Sequence, residues 1–344
     1  MTEVRAKKAL GQHFLTDLSI ARRIVDALGA APCPEGSSEP CLVESAAKAG
    51  AGEPSERGIE GPGAKAGADE TSANSPAGVP SEKTSVLEIG PGMGVLTRYL
   101  LERQDIDLKL VELDGESVNY LMNRYGNLAG RLLQADYLKL DIHKVFGGRY
   151  SVIGNFPYNI SSQIFFKILD DRERVPEVVC MVQKEVAQRI AERPGSKTYG
   201  ILSVLLQAWY DIEYLFTVEP GAFAPPPKVR SAVIRLRRNG RTALIASEAA
   251  EGRLPEASGS AFSERAAENG QALMGKTQPA AEVSEAKFRS VVKTAFGQRR
   301  KTLRNALKPL LSDLSAVPEE ILALRAEQLG VQDFIDLTAR IFPL

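Results

Sequence analysis

The feature that most narrows what this chain can become is nine residues long: V-L-E-I-G-P-G-M-G, residues 86–94. An apolar run stops abruptly at three glycines in alternate positions, and residues 95–102 then continue with helical periodicity. Glycine reaches φ > 0 without strain and has no side chain to obstruct a ligand. Gly90, Gly92 and Gly94 therefore mark a strand-to-helix turn where a ligand can approach the backbone. Taken alone, such a turn is equally a tight connection or a nucleotide-like site. Its spacing is Gly-x-Gly-x-Gly, not the Gly-x-Gly-x-x-Gly of a dinucleotide fold, whose pyrophosphate rests on the helix N-terminus.

The same alternation continues downstream. Apolar runs at 108–112, 132–135, 150–154 and 178–183 read as buried strands, with helices at 116–124, 161–169, 184–192 and 199–210. Two more strands, 212–218 and 232–237, flank the turn P-G-A-F-A-P-P-P-K-V-R-S. Strands and helices alternating at this spacing imply an α/β fold with a mainly parallel sheet covered on both faces. From residue 287 onward the pattern is helical, which predicts a small all-helical domain at 287–344 after a larger domain at 1–240.

Two stretches break the pattern. Residues 30–84, rich in Ala, Gly, Ser, Pro and Glu, contain no aromatic side chain, and residues 241–286 contain only Phe262. Neither can bury enough surface to offset chain entropy, so both read as disordered insertions. They also hide the charge. The whole chain is formally neutral, but 30–84 carries nine acids against four bases and 241–286 seven against four, so the remainder holds +8. A basic folded part suits a polyanionic partner. No apolar stretch is long enough to span a membrane. Cys33, Cys41 and Cys180 are too few and too scattered for a disulfide framework or a zinc site, which predicts a reducing, cytoplasmic setting and no metal.

Chemistry-bearing residues fall at successive strand ends, where open α/β sheets bind their ligands. Glu112, 22 residues past Gly90, is placed to accept bonds from both hydroxyls of a ribose, and Asp136 to accept one from an adenine amino group. The next strand ends in G-N-F-P-Y-N-I-S, residues 154–161. The N6 lone pair of adenine is delocalised into the ring, so methylating it requires the nitrogen to become more tetrahedral and more positive. The side-chain oxygen of Asn155, with a backbone carbonyl near Pro157, can accept the two N6 hydrogens as that charge develops. Pro157 aims the carbonyl in advance, and Tyr158 offers a face for an extruded base.

Taken together these blocks resemble the small-subunit ribosomal RNA adenine dimethyltransferases, and more distantly the erythromycin-resistance rRNA methylases. The resemblance runs through K-K-A-L-G-Q-H-F-L-T-D at 7–17, the 86–97 block, V-E-L-D, G-N-F-P-Y-N-I-S, the 220–236 block and K-T-A-F-G-Q-R-R-K-T-L-R-N-A-L at 293–307. It implies a Rossmann-like sheet binding S-adenosylmethionine, with a C-terminal helical domain. It implies that Gln12, His13 and Leu15 line the cofactor pocket with Gly90, Gly92, Glu112, Asp136 and Asn155. It also implies that Phe223 is a second aromatic wall facing Tyr158. His13 stands where many relatives carry Asn, and Phe156 where Leu is common.

Between residues 287 and 308 lie eight basic side chains and no acidic one. A basic helix is as often a solvated face, but beside a base-methylating site Lys293, Arg299, Arg300, Lys301 and Arg304 fit phosphate contacts to RNA. The resulting expectation is a monomeric enzyme that dimethylates adjacent adenines of 16S rRNA within the small ribosomal subunit. Two alternatives stay open: a large-subunit methylase of the resistance type, and a mainly non-catalytic assembly factor.

Overall fold

The computed structural model describes residue 7 and residues 11–29, 83–239, 245–246, 283–310 and 314–343. Most of the two expected insertions therefore lies outside the described residues. Among the described residues no helix is long and apolar enough to cross a membrane.

The N-terminal part contributes β1 (Phe14–Leu15) and α1 (Leu18–Ala27). The main series follows: β2 (Thr84–Ile89), α2 (Val95–Leu100), β3 (Ile106–Glu112), α3 (Gly115–Arg124), β4 (Leu132–Gln134), β5 (Ser151–Asn155), α4 (Ser161–Asp170) and β6 (Glu177–Gln183). After it come α5 (Lys184–Ala191), α6 (Ile201–Trp209), β7 (Tyr210–Val218), β8 (Phe223–Ala224) and β9 (Ser231–Arg238). Seven of these strands form one sheet in the order β4-β3-β2-β5-β6-β9-β7. The first five are parallel, and β9 runs antiparallel to both β6 and β7. The mainly parallel, doubly covered sheet is the architecture expected from the alternating pattern.

Alternation along each strand builds two cores, because successive side chains point to opposite faces. Val178, Cys180 and Val182 of β6 enter one apolar cluster, Val179 and Met181 the other. The second face is covered by α1 and α2, with Ala21, Ile24, Val25, Leu96 and Leu100. Asp17 starts α1 by accepting the Ser19 and Ile20 amides. Two arginines finish it, Arg103 on the Leu28 carbonyl at 2.8 Å and Arg235 on that of Ala27 at 3.1 Å. No element was expected before residue 30, yet α1 is a full covering helix.

The first face carries α4, α5 and α6, and against them the C-terminal helices: α7 (Glu285–Gly297), α8 (Leu303–Ala306), α9 (Glu319–Leu322) and α10 (Val331–Ile341). The joint is aromatic and ionic. Phe288 meets Trp209 edge-on at 5.9 Å, and Arg172 bonds the Glu285 carboxylate. Two short strands, β10 (Ile245–Ala246) and β11 (Val283–Ser284), pair in parallel inside the stretch read as an insertion.

The sheet has a chemical end and a plain end. Gly29, where the chain leaves the described structure, donates its amide to Glu177 at the start of β6, and the chain rejoins at the start of β2. Arg238, the last residue of β9, lies at that same amino end because Glu177 pairs with Arg237. Gly29, Thr84 and Arg238 thus all lie at the end of the sheet opposite the carboxyl ends of the parallel strands.

Candidate active site

The carboxyl ends of β2, β3, β4 and β5 converge on one pocket, which brings Gly90, Gly92, Glu112, Asp136, Asn155, Pro157 and Tyr158 together. Gln12, His13 and Leu15 join them from the N-terminal strap.

The glycine turn has the conformation its composition demands: φ is 66°, 57° and 77° at Gly90, Gly92 and Gly94. At Gly92 space is short as well, since a Cβ would lie 3.0 Å from the Phe14 ring. The turn is tied to the neighbouring strand through Glu112, which is 5% exposed. Its Oε2 accepts the Gly92 amide at 3.0 Å and its Oε1 the Asp114 amide at 2.9 Å. Burial raises the Glu112 carboxyl above its ordinary pKa, against the pull of these backbone donors. Asp136 holds the next turn, accepting the Leu138 amide on Oδ1 at 3.0 Å.

Glu88, in the middle of the V-L-E-I run, is only 1% exposed and also borders the pocket. Thr97 donates to it at 2.7 Å. Burial, together with the nearby Glu112, pushes its pKa up to about 8, with Thr97 pulling the other way. This residue escaped the sequence reading. The signal was there: a carboxylate inside a run that must be buried needs a reason.

The N-F-P-Y turn is anchored by its own second residue. Phe156 is fully buried against Phe165, and its amide continues the ladder to the Met181 carbonyl at 3.0 Å. Gly154 lets β5 close on β2, because a Cβ there would sit 2.6 Å from the Ile89 carbonyl oxygen. Asn155 donates through Nδ2 to the His13 carbonyl at 3.1 Å. That bond orients the amide and leaves Oδ1 without a donor among the described residues. The carbonyls of Phe156 and Pro157 flank it, and the second already accepts the Ile160 amide at 3.2 Å. The Tyr158 hydroxyl is hydrogen-bonded to Ser231 on β9.

Phe223 is not where the resemblance implied. It is 4% exposed, pairs with Leu15 across the β1–β8 ladder, and packs into the apolar cluster under α1. A two-residue ladder directs such a pair to one side, here into the core. The ring that faces Tyr158 is His13, stacked at 5.5 Å.

The strap itself is clamped over α3: Lys7 Nζ lies 2.5 Å from Asp114 and 3.0 Å from Glu116. These two carboxylates raise the Lys7 pKa. Gln12 spends its side-chain oxygen on the Lys7 amide at 2.9 Å.

The basic cluster divides. Arg299 pairs with Glu327 at 3.9 Å and Arg304 with Glu319, whereas Lys293, Arg300 and Lys301 are exposed with no ion partner among the described residues. They sit at the same end as the pocket, because α7 starts beside Arg172, past the end of α4, and runs to Phe296 beside Tyr199.

The chemistry of the pocket lining discriminates between cofactors. It presents the carboxyls of Glu88, Glu112 and Asp136 and the amides of Gln12 and Asn155, with no lysine or arginine among the described lining residues. A pyrophosphate would meet carboxyl groups there with no cationic side chain to offset its charge. An organic cation bearing hydroxyls and an amino group fits.

The ribosomal RNA adenine dimethylase family model matches residues 71–247. Curated relatives agree along nearly the whole length. Ribosomal RNA small subunit methyltransferase A of Parabacteroides distasonis is 44% identical over 339 residues, 98% of this chain and 94% of the relative. The protein of that name from Porphyromonas gingivalis is 43% identical over 341 residues, 98% of each chain. The chain belongs to the ribosomal RNA adenine dimethylase family. Its class is therefore that of an rRNA adenine dimethyltransferase. A solved dimethyladenosine transferase from Plasmodium falciparum shares the fold, with TM-score 0.53 at 21% identity over 74% of this chain and 90% of that one.

Proposed function

We propose that this chain transfers two methyl groups from S-adenosylmethionine to N6 of each of two adjacent adenines in 16S rRNA of the small ribosomal subunit. The observation that carries the reading is the Asn155 amide. Its nitrogen is spent on His13, so its oxygen is the atom presented beside Gly90, Glu112 and Asp136.

Glu112 would take the ribose hydroxyls on the lone pairs its backbone donors leave, and Asp136 the adenine amino group of the cofactor. Gln12, Leu15 and the main chain of His13 close that half, while the His13 ring turns toward Tyr158. Glu112 and Asp136 favour a positively charged ligand by simple attraction. When bound, S-adenosylmethionine supplies an electrophilic methyl carbon on a sulfonium.

The chain's own residues prepare the nitrogen. Asn155 Oδ1 accepts one N6 hydrogen and a backbone carbonyl the other; of the two candidates, that of Phe156 has no donor among the described residues, whereas Pro157's is partly used. Both oxygens gain as the nitrogen becomes cationic, so their stabilisation grows toward the transition state. Tyr158, fixed by Ser231, stacks on the purine. The proton leaves a methylated ammonium without a strong base.

Lys293, Arg300 and Lys301 hold phosphates at the mouth, with Arg299 and Arg304 as lesser contributors, and residues 287–344 act as the RNA-binding domain. We place the enzyme in the cytoplasm, where assembling subunits are met, and as a monomer. The test is incorporation of labelled methyl into small subunits lacking the modification, with the modified positions mapped by mass spectrometry. Wild type is expected to dimethylate two neighbouring adenines and Asn155→Ala to lose nearly all transfer. Equal incorporation by the two proteins would remove Asn155 from the mechanism.

A further inference from the structure

The face of Tyr158 is not bare. The His13 ring lies on it, with centroids 5.5 Å apart and planes inclined by 28°. Three contacts seat it there. Nδ1 is 3.0 Å from the Pro225 carbonyl oxygen. A carbonyl only accepts, so Nδ1 carries the hydrogen. The His13 backbone carbonyl takes the Asn155 amide, and the next residue, Phe14, pairs with Ala224. The imidazole is thus held between the proline loop and Tyr158, one bond away from the amide that receives the substrate nitrogen. It is a flat nitrogen heterocycle placed where another must go.

Resting on the adenine assignment above, we propose that His13 is a placeholder for the target base: its ring covers the stacking face of Tyr158 until an adenine enters and swings it off. The physical advantage is continuity. An aromatic face left open to water loses apolar cover, whereas a stacked ring keeps it, and an aromatic pair of this kind is worth a factor of roughly 2 to 10 in an equilibrium. The entering base must therefore outcompete an imidazole. A purine, with the larger face, does so more readily than a pyrimidine. The backbone of the strap need not move, since only the side-chain contact to Pro225 is broken; the Asn155 bond goes to the main chain and persists.

The experiment measures steady-state methyl transfer to unmodified small subunits by the full-length protein at saturating S-adenosylmethionine, for wild type, His13→Ala and His13→Trp. Removing the ring is expected to lower the KM for RNA about 2- to 10-fold, and the larger, harder-to-displace indole to raise it. Affinity for S-adenosylhomocysteine, read by calorimetry, is measured alongside. An alanine variant whose RNA KM is unchanged or higher overturns the proposal, as does one that loses S-adenosylhomocysteine, which would make His13 a wall of the cofactor site. A second measurement needs no variant. The chain has only two histidines, His13 and His143, and His143 is exposed. In histidine-labelled wild type, the His13 ring signals should start displaced by the Tyr158 ring current. They should relax when oligoadenylate and S-adenosylhomocysteine are added together, with His143 as the fixed reference. His13 signals that stay put at oligoadenylate concentrations that inhibit transfer overturn the placeholder alone. Absence of transfer by wild type fails the adenine assignment, and the placeholder with it.

Discussion

The two halves of the pocket are built by different means. The half we assign to the cofactor is local: residues 86–94, 112–114 and 135–138 come from three consecutive strand ends, and backbone amides and short turns do most of the holding. The half we assign to the target base is assembled from afar, with Asn155 bonded to His13 across 142 residues and Tyr158 to Ser231 across 73. Contacts along one stretch of chain rigidify a site cheaply, because little loop closure entropy is involved. Contacts between distant segments bring together groups that can move separately. The first kind of construction suits a ligand that must always bind in one way. The second suits a substrate that must be admitted.

Five substitutions would break or sharpen this contrast. Asn155→Ala should act on the base half alone, lowering kcat by roughly 10²–10³, as for removal of one transition-state hydrogen bond. S-adenosylhomocysteine affinity should change only a few-fold; a large loss would mean that the two halves share one determinant.

Next in size is Glu88→Gln, which probes the buried carboxyl behind the glycine turn. With its pKa raised from 4.5 to about 8 in the fold, Glu88 keeps its proton in the native state through a range where the unfolded chain loses it. Its contribution to stability is thus complete below pH 4.5 and falls as pH rises toward 8. Denaturant titrations from pH 5 to 8 should show wild type losing stability relative to the variant, by about 2 to 3 kcal/mol between pH 5 and pH 7. Parallel pH profiles for the two proteins would show that Glu88 is ionised in the fold.

Gly92→Ala introduces both a positive φ and a Cβ at 3.0 Å from Phe14. About 1–3 kcal/mol of stability should be lost, with cofactor affinity falling more than kcat at saturation. Thermal unfolding and calorimetry with S-adenosylhomocysteine measure the two. The smallest effect is expected at the mouth. Arg300→Ala should weaken RNA binding a few-fold and reduce the slope of log K against log salt by about 0.7–0.9. Arg304→Ala should do less, because Glu319 already neutralises that side chain. Salt titrations of subunit binding distinguish them, and equal slopes would remove the distinction drawn from pairing.

The same contrast governs what could be read from residues alone. Strand periodicity, the glycine spacing and the carboxylates at strand ends are short-range signals, and the five parallel strands and the convergence of Gly90, Glu112 and Asp136 on one pocket follow from them. The antiparallel β9 and the displacement of Phe223 do not, because both depend on how residues 210–238 fold back beside β6 and the strap. β1 is two residues long and gains its meaning only by pairing with β8. α1 carries Ala21, Ile24 and Val25 at helical spacing, but the run is only ten residues long and its apolar stripe has meaning only against the sheet it covers. The ion pairs of Arg299 and Arg304 were likewise invisible, since Glu327 and Glu319 come close only after the C-terminal helices pack.

The position of Gly29 and Arg238 at the amino end of the strands has a practical corollary. Cargo spliced into the chain at either point, a fluorescent reporter for example, would hang from the floor of the molecule while the pocket opens at its ceiling. Sequence length at those two points is free to drift through evolution, or in an engineer's hands, with the chemistry kept out of reach of the change.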